Sequence, residues 1–284
     1  MRRVSERQAV RELSRHWRCR GERIGLVPTM GNLHAGHLAL VDQLAGEVDR
    51  LVVSIFVNPL QFGPEEDYDA YPRTLEADLE ALQGRGVDAV FAPSAGEMYP
   101  HGAPLTQVDV PALTGTLCGL DRPGHFAGVA VVVLKLLHLV EPDVAAFGAK
   151  DYQQLQVVRR AAADLDLPVA IRAVPIVREA DGLALSSRNA YLDAEQRRRA
   201  PALYAALTEL AEALAQGRRD FAALEAQGRE RLAAAGFDAV DYVAIRRCDD
   251  LAEPAGEERR LVCLGAARLG AARLIDNVEA RLIG

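Results

Sequence analysis

Residues 24–37 read Ile24-Gly-Leu-Val-Pro-Thr-Met-Gly-Asn-Leu-His-Ala-Gly-His37, an apolar run that leads into a glycine-containing junction. The apolar start is typical of a strand that is buried on both faces of a parallel sheet. Gly31 allows the chain to turn tightly after that strand, and a helix is predicted to follow. Because ligands bind at the carboxyl ends of the strands in an open α/β sheet, this junction predicts a functional site.

The same alternation of strand and helix continues along the chain. We predict strands at 24–27, 51–57, 87–91, 144–147 and 169–177. Helices are predicted between them, at 33–46, 72–85, 124–140 and 152–165. This βαβ alternation predicts an α/β fold, a Rossmann-like doubly wound parallel sheet.

After Arg188 the sequence changes character. Residues 196–216 and 220–235 are rich in Ala, Leu, Glu and Arg, which predicts helices. Predicted strands follow at 240–246, 260–264 and 274–278. We therefore predict a Rossmann-like domain over residues 1–175 and a second, smaller α+β C-terminal domain over residues 176–284.

Two local signals predict where helices begin. Ser5 followed by Gln8 has the spacing of a capping box, which satisfies two backbone N–H groups at a helix start. Pro72 suits the first turn of the helix predicted at 72–85, because proline has no N–H there to leave unpaired.

Composition restricts the partners and the location of the protein. The formal net charge of -7 argues against broad nucleic-acid binding, although a locally positive pocket can still hold an anion. The longest apolar run, 128–139, is too short to cross a bilayer, so we expect no membrane association. The four cysteines are far apart, and the charged N-terminus lacks the apolar region of a secretory signal. Both features indicate a cytoplasmic protein with reduced thiols.

His34 and His37 are three residues apart and share one face of the predicted helix. Gly36 between them has no side chain that would block a ligand. The N-terminal amides of a helix attract phosphate, and imidazole donors can add to that attraction. Two ordinary surface or core histidines are the alternative, but a His-x-Gly-His tetrad at a strand-to-helix junction favours function. The tetrad resembles the HIGH signature of nucleotidyltransferases, which cleave ATP between the α- and β-phosphates.

Other polar side chains follow the later predicted strands. Asn58 and Gln61 offer amide donors and acceptors for hydroxyl and carboxylate groups, with a plain strand-ending turn as the alternative. Lys150 could bind a phosphate or be a solvated loop lysine, and Gln154 could join Gln61 at a substrate. Arg188 and the two serines before it could grip triphosphate oxygens or form a polar turn.

Arg122 and His125 lie at the start of the helix predicted at 124–140. A role in capping and packing competes there with a role in binding a ligand. Both interpretations stay open at the level of sequence.

Several motifs occur in the order and spacing of the pantothenate synthetases. They are Pro28-Thr-Met-Gly-x-Leu-His-x-Gly-His37, Phe56-Val-Asn-Pro-x-Gln-Phe62, Tyr71-Pro-Arg-Thr74, Arg122-Pro-x-His-Phe-x-Gly-Val129, Phe147-Gly-x-Lys-Asp-Tyr-Gln-Gln154 and Ser186-Ser-Arg-Asn189. The chain resembles that family strongly over residues 24–192 and more loosely beyond them. In the looser part, Arg273-Leu-Ile-Asp-Asn277 also looks familial.

The resemblance implies an ATP-dependent ligase that joins pantoate to β-alanine. The pantoate carboxylate would attack the α-phosphorus of ATP, giving pantoyl adenylate and pyrophosphate, and the β-alanine amine would then displace AMP. Because a carboxylate is a weak nucleophile toward an anionic phosphate, the site must mainly position the reactants and neutralise charge. The family also implies Mg²⁺ with the ATP and a homodimer. We expect the larger domain to bind ATP and pantoate, and whether the smaller domain covers the active site stays open at the level of sequence.

Particular roles follow from the same resemblance. His37 matches the proton donor of the family, and His34 matches its partner at the phosphates. Lys150 and Arg188 would stabilise negative charge together with them. Asp78 matches a magnesium-associated carboxylate, and a solvated helix acid is its alternative.

Substrate and ATP contacts are implied in the same way. Gln61 and Gln154 match pantoate-binding positions of the family, with Gln61 also near β-alanine, and we expect Asn58 to bind substrate beside Gln61. The implied ATP contacts, besides those already named, are Met30, Gly31, Asn32, Leu33, Ala35, Gly36, Gly148, Ala149, Asp151, Val177, Leu185, Ser186 and Ser187. The family often has Glu at position 149 and Met at position 185, and these departures bear on nucleotide affinity rather than on reaction type.

Three alternative functions share parts of this pattern. A nucleotidyltransferase that moves AMP onto a phosphate-bearing acceptor would share the tetrad, but it has no need of the segment around Asn58 and Gln61. An aminoacyl-tRNA synthetase core would need a basic tRNA-binding region, and none is evident in the sequence. A catalytically inert nucleotide-binding protein would bind ATP without forming AMP.

Overall fold

A computed structural model describes residues 1–63 and 68–281, and the chain forms two compact units. The first unit is Met1–Ala149 with Gln154–Pro175, and the second is Lys150–Gln153 with Ile176–Gly284. The predicted domains, 1–175 and 176–284, differ from these units in assigning residues 150–153 to the first. The reason is a set of contacts with a distant C-terminal strand, which local sequence does not reveal.

The first unit contains a six-stranded sheet in the order β1-β4-β3-β2-β5-β6, and every neighbouring pair is parallel. The strands are β1 (Arg2–Val4), β2 (Ile24–Thr29), β3 (Arg50–Ile55), β4 (Ala89–Phe91), β5 (Val144–Gly148) and β6 (Ala170–Val174). The strand order reverses between β2 and β5, which is the switch point where such sheets bind ligands. The predicted doubly wound fold is confirmed.

Helices lie between the strands of this sheet. They are α1 (Arg7–Arg18), α2 (Ala35–Ala45), α3 (Leu75–Leu82), α4 (Ala95–Met98), α5 (Pro111–Thr114), α6 (Cys118–Asp121), α7 (His125–Val140) and α8 (Tyr152–Asp164), with a 3-10 turn at Pro59–Gln61. In the part of the chain that the structure describes, no helix has the length and apolar character needed to cross a membrane.

The central strands are buried on both sides, which explains their unbroken apolar sequence. Leu26 and Val52 pack in one apolar cluster. The residues that follow them, Val27 and Val53, pack in a second cluster. Successive side chains of a strand point to opposite faces, so each strand contributes to two cores.

The second unit has the smaller α+β form that the sequence predicts. Its antiparallel sheet contains β7 (Ala239–Arg247), β8 (Arg260–Leu269) and β9 (Ala272–Arg281). Its helices are α9 (Ala194–Arg199), α10 (Ala202–Ala215) and α11 (Phe221–Ala234), and a 3-10 helix spans Ser187–Tyr191. Gly265 of β8 lets α10 approach closely, since a Cβ there would lie 2.8 Å from Leu203 Cδ1.

The N-terminus differs from the prediction. Arg2–Val4 forms the edge strand β1, which was not predicted, and pairs with β4. Helix α1 is preceded by Glu6 as N-cap, whose side chain makes no capping bond among the described residues, so the predicted Ser5–Gln8 capping box is wrong. Strand β1 has only three residues, and two of them are arginines, so it gives no periodic signal. Only its pairing with the distant strand β4 identifies it.

Two predicted helices have different limits in the structure. Helix α3 begins at Leu75 with Thr74 as its N-cap, so Pro72 precedes the helix instead of opening it. The single helix predicted at 196–216 is two helices, α9 and α10. The helix is interrupted near Pro201, because proline cannot donate a backbone hydrogen bond.

Candidate active site

The turn after β2 has a backbone conformation that favours glycine. Gly31 has a φ of +81°, and Asn32 follows with a φ of 51°. A Cβ on Gly31 would lie 2.9 Å from Asp78 Oδ2 and 3.0 Å from Ile55 Cγ2. Glycine is therefore required at this position for its conformation and for its lack of a side chain.

Asp78 of α3 holds this turn in place. Its Oδ1 accepts the N–H of Leu33 at 2.7 Å, and its Oδ2 accepts the N–H of Asn32 at 3.0 Å. The Thr74 hydroxyl also donates to Oδ2, at 3.3 Å. Asp78 is only 3% exposed, so water does not compete readily for these hydrogen bonds.

The contacts of Asp78 do not fit a dedicated magnesium ligand. Both oxygens accept backbone N–H groups, and the side chain is buried instead of being a solvated helix acid. Within residues 1–63 and 68–281, no cluster of three or more His, Cys, Asp or Glu side chains is arranged to hold a metal ion. The geometry favours a positioning role for Asp78 over the predicted association with magnesium.

His34 and His37 cap the start of α2 reciprocally. The N–H of Gly36 donates to His34 Nδ1 at 3.1 Å, and the N–H of His34 donates to His37 Nδ1 at 3.4 Å. The two rings lie 4.1 Å apart between centroids. Because a backbone N–H can only donate, each Nδ1 is an acceptor, and a neutral imidazole then carries its proton on Nε2. When neutral, the two imidazoles therefore present Nε2–H donors at the start of one helix.

The turn borders a cavity of the first unit. Its lining includes Met30, Gly31, Phe56, Asp78 and Ser94. These residues follow or end β2, β3 and β4 or lie on α3. The cavity thus lies at the carboxyl edge of the sheet, where this class of fold binds ligands.

Asn58 is buried, and its side-chain amide is fully hydrogen-bonded within the protein. Its Nδ2 donates to Gln61 Oε1 and to the carbonyl of Gly128, each at 3.1 Å. Its Oδ1 accepts the N–H of Leu60 at 3.3 Å and the Tyr99 hydroxyl at 2.8 Å. Because the Leu60 N–H only donates and the Gly128 carbonyl only accepts, the orientation of the amide is determined.

This network favours a positioning role for Asn58 over the predicted contact with substrate. Two donors and two acceptors are used, which is the full capacity of a carboxamide. Asn58 donates to Gln61 Oε1, so the Nε2 group of Gln61 points away from Asn58. It lies 2.9 Å from Met30 Sδ. Gln61 thus presents N–H donors beside Met30, where they suit a carboxylate or hydroxyl oxygen.

Tyr99 supports the orientation of Asn58. Burial raises the pKa of the Tyr99 phenol, so the hydroxyl stays protonated and can donate to Asn58 Oδ1. The Nζ of Lys135 lies 5.6 Å from the centroid of the Tyr99 ring. Burial first, and then the charges of Arg7 and Arg11, lower the pKa of Lys135. The phenol is thus a fixed donor with a cation near its ring.

Arg122 and His125 hold the backbone of Gln61. His125 Nδ1 lies 2.7 Å from the Gln61 carbonyl oxygen, and Arg122 Nη1 lies 3.0 Å from His125 Nε2. The carbonyl can only accept and the guanidinium can only donate, so His125 is neutral with its proton on Nδ1. The sequence leaves open a capping and packing role or a role in binding a ligand, and these contacts with the Gln61 backbone favour the packing role.

Gly128 allows α7 to contact the Pro59–Gln61 turn directly. A Cβ on Gly128 would lie 2.1 Å from the Leu60 carbonyl oxygen and 2.9 Å from the Gln61 nitrogen. Sequence reasoning assigned no role to Gly128 or Tyr99. An isolated glycine inside an apolar helical run was a usable signal for Gly128, but Tyr99 carried none.

The other predicted residues divide between the two units. Gly148 ends β5, the N–H of Ala149 donates to the Val174 carbonyl at 2.8 Å, and Gln154 is half-buried in α8. The second unit contains Lys150, Asp151, Val177 and Leu185–Arg188. There the N–H of Leu185 donates to the Val177 carbonyl at 3.0 Å, which closes a hairpin.

The chain matches known proteins over nearly its whole length. Residues 2–279 match the family model described as Pantoate-beta-alanine ligase. A pantothenate synthetase of Halorhodospira halophila is 79% identical over 283 residues, covering 99% of each chain. One of Alkalilimnicola ehrlichii is 56% identical over 283 residues with the same coverage.

Two solved structures are also similar. The crystal structure of pantothenate synthetase from Thermus thermophilus matches with a TM-score of 0.91 and 48% identity, covering 98% of this chain and 99% of that chain. The pantoate-β-alanine ligase of Francisella tularensis, complexed with β,γ-ATP and β-alanine, matches with a TM-score of 0.80 and 32% identity. That match covers 98% of this chain and 97% of the other.

Replacing Asp78 by Asn tests its positioning role. The amide group of Asn cannot accept both backbone N–H groups, so we expect a loss of about 1–3 kcal/mol in the free energy of unfolding in urea. Hydrogen exchange at the Asn32 and Leu33 amides should also accelerate. The exposed Asp42→Asn, which loses a surface pair with Arg85, is the control and should cost under about 1 kcal/mol. Unchanged exchange in Asp78→Asn would contradict the role.

Replacing Gly128 by Ala tests the close contact of α7 with the Pro59–Gln61 turn. The added methyl group overlaps the Leu60 carbonyl, so we expect about 1–3 kcal/mol of destabilisation by urea denaturation. Gly46→Ala is a matched control, because a Cβ at Gly46 meets nothing closer than 3.9 Å. Equal stabilities of the two variants would show that the contact is not tight.

Proposed function

The chain belongs to the pantoate–β-alanine ligase family, as its motifs predict, and we propose that it condenses pantoate with β-alanine using ATP. In the first step the pantoate carboxylate attacks the α-phosphorus of ATP and releases pyrophosphate. In the second, the β-alanine amine attacks the carbonyl of the pantoyl adenylate and releases AMP. The observation that carries the proposal is the paired His34–His37 cap at the start of α2, in a chain matched to this family over residues 2–279.

The first step needs charge neutralisation more than a protein nucleophile. A carboxylate and a triphosphate repel one another, so fixed donors aimed at the phosphates lower the barrier. Nδ1 of both His34 and His37 accepts a backbone N–H, which supports Nε2–H donation to phosphate oxygens. We assign His37 as proton donor and His34 as its partner, with Lys150 and Arg188 supplying positive charge.

The polar groups near Met30 suit the pantoate substrate. Gln61 directs its Nε2 group toward Met30 because Asn58 occupies its Oε1. We propose that this group and Gln154 bind pantoate, with Gln61 also near β-alanine. The Francisella tularensis relative was solved with β,γ-ATP and β-alanine, which supports the same two ligands for this chain.

The proposed ATP contacts follow from the motifs that the chain shares with the family. They are Met30–His37, Gly148, Ala149, Lys150, Asp151, Val177, Leu185, Ser186, Ser187 and Arg188. Ala149 and Leu185 have apolar side chains, so we propose that they contact the nucleotide through the backbone or through apolar surface.

Three further features complete the proposal. We propose that Mg²⁺ accompanies ATP through the phosphates, as this ion commonly does, since Asp78 is engaged with backbone amides. We propose a homodimer, for which light scattering would give about twice the chain mass of 30.7 kDa. We also propose a cytoplasmic location.

Exchange of labelled pyrophosphate into ATP tests the order of the two steps. Because adenylate formation precedes the amine step, exchange should require pantoate and proceed without β-alanine. A nucleotidyltransferase for a phosphate-bearing acceptor would show an exchange rate that does not depend on pantoate. An inert nucleotide-binding protein would show ATP binding and no exchange. Either result would contradict the proposal.

His37→Gln separates the chemical role of this side chain from its capping role. Glutamine at the third helical position can still accept the N–H of residue 34, so the free energy of unfolding should stay within about 1 kcal/mol of the wild type. The imidazole is lost, and we expect the exchange rate to fall roughly 10²–10⁴-fold, as for a lost general acid. His16→Gln, on α1, is the control and should leave the rate unchanged. Full activity of His37→Gln would refute the assigned role.

A further inference from the structure

The segment Arg273-Leu-Ile-Asp-Asn277 lies in β9 and takes no part in the proposed chemistry. Its last two side chains contact two separate segments of the second unit that carry proposed ATP residues. We infer that Asp276 and Asn277 are positioning residues that fix Lys150 and the Val177–Leu185 hairpin for ATP binding. This inference rests on the proposed function.

Asn277 holds the backbone of Lys150. Its Nδ2 donates to the Lys150 carbonyl oxygen at 3.0 Å, and its own N–H donates to Asp276 Oδ1 at 2.7 Å. Asn277 is buried, so a lost hydrogen bond there would not be replaced readily by water. The Lys150–Asp151 peptide is thereby fixed, and with it the start of the Lys150 side chain.

Tyr152 provides a second attachment to the same strand. Its hydroxyl lies 3.1 Å from Glu279 Oε1 and 3.2 Å from the Cys248 carbonyl oxygen, both of which can accept its proton. Burial, followed by the influence of Cys248 and Glu279, raises the pKa of Tyr152, which keeps the phenol protonated. Asn277 and Glu279 are two residues apart and therefore lie on one face of β9. Together they explain why residues 150–153 group with the second unit.

Asp276 holds the hairpin. Arg178 donates from Nη1 and Nη2 to the two Asp276 oxygens at 2.6 and 2.8 Å, and Asp276 is 3% exposed. Nη1 also donates to the Gly182 carbonyl at 2.9 Å, across the turn of the hairpin. The guanidinium lies 3.7 Å from the centroid of the Tyr204 ring. A bidentate pair in a buried setting fixes direction as well as distance.

Consecutive residues of one strand therefore fix both segments. Side chains alternate between the faces of a strand, so Asp276 and Asn277 can reach different neighbours. β9 is paired with β8 along its length, from Ala272 opposite Leu269 to Arg281 opposite Arg260. This pairing makes the strand a rigid reference for Lys150 and the hairpin. A change at Asn277 should accordingly alter ATP affinity by displacing Lys150.

Asn277→Asp tests the inference with little change in shape. It replaces the Nδ2 donor by an acceptor facing the Lys150 carbonyl, and we expect the Kd for ATP, measured by calorimetry on the full chain, to rise roughly tenfold. The KM for β-alanine should stay within about twofold of the wild type, since only the ATP segment is displaced. Asp241→Asn is the control, because it breaks the Arg273–Asp241 pair at 2.6 Å in the same sheet without touching either segment. It should lower stability and leave the Kd for ATP unchanged.

A double-mutant cycle with Lys150→Ala completes the test. If Asn277 acts through Lys150, Asn277→Asp should add little to the loss of ATP affinity in Lys150→Ala. Two results would overturn this inference and leave the proposed function intact. They are additive losses of affinity, or a wild-type Kd in Asn277→Asp while Lys150→Ala binds ATP weakly. A wild-type Kd in Lys150→Ala would instead overturn the proposed ATP role of Lys150. Equal weakening of ATP binding by Asp241→Asn and Asn277→Asp would also overturn the inference, because it would indicate a general loss of stability.

Discussion

The candidate site depends on the bonds from the Asp78 carboxylate to the backbone N–H groups of Asn32 and Leu33. Gly31 and Asn32 both have positive φ angles, which glycine adopts freely and asparagine adopts more readily than most residues, and the turn they form needs support to hold a single conformation. The buried carboxylate supplies that support and is itself satisfied by the amides. The position of the His34–His37 cap follows from this turn. The cap in turn directs both Nδ1 atoms to backbone N–H groups, which leaves Nε2–H of each ring to bind phosphate.

A shared rule governs the polar residues around Gln61. Asn58, Arg122 and His125 have side chains suited to binding a substrate, yet their hydrogen bonds position Gln61. In each case a group that only donates or only accepts determines the orientation of its neighbour. The consequence is a single directed amide beside Met30, which is a more specific recognition element than several free polar groups would be. Buried networks of this kind are effective when every member is satisfied.

Local sequence predicted the features that have local causes. The apolar strands, the junction after β2 and the His-x-Gly-His tetrad all follow from residues close together in the chain. The structure adds the roles that depend on distant pairing. Asp78 is 46 residues from Asn32, and Asn277 is 127 residues from Lys150, so neither contact leaves a periodic signal. For the same reason β1 and the grouping of residues 150–153 were not foreseen, and Asn58 was assigned to substrate instead of to Gln61.

The central claim is that the pantoate carboxylate attacks the α-phosphorus of ATP. Pantoate labelled with ¹⁸O in its carboxylate tests this directly, by mass spectrometry of the AMP formed in the complete reaction. Attack at the α-phosphorus leaves one carboxylate oxygen on phosphorus when the amine displaces AMP, so we expect AMP that carries one ¹⁸O from pantoate. AMP without the label, formed together with the condensed product, would contradict the claim.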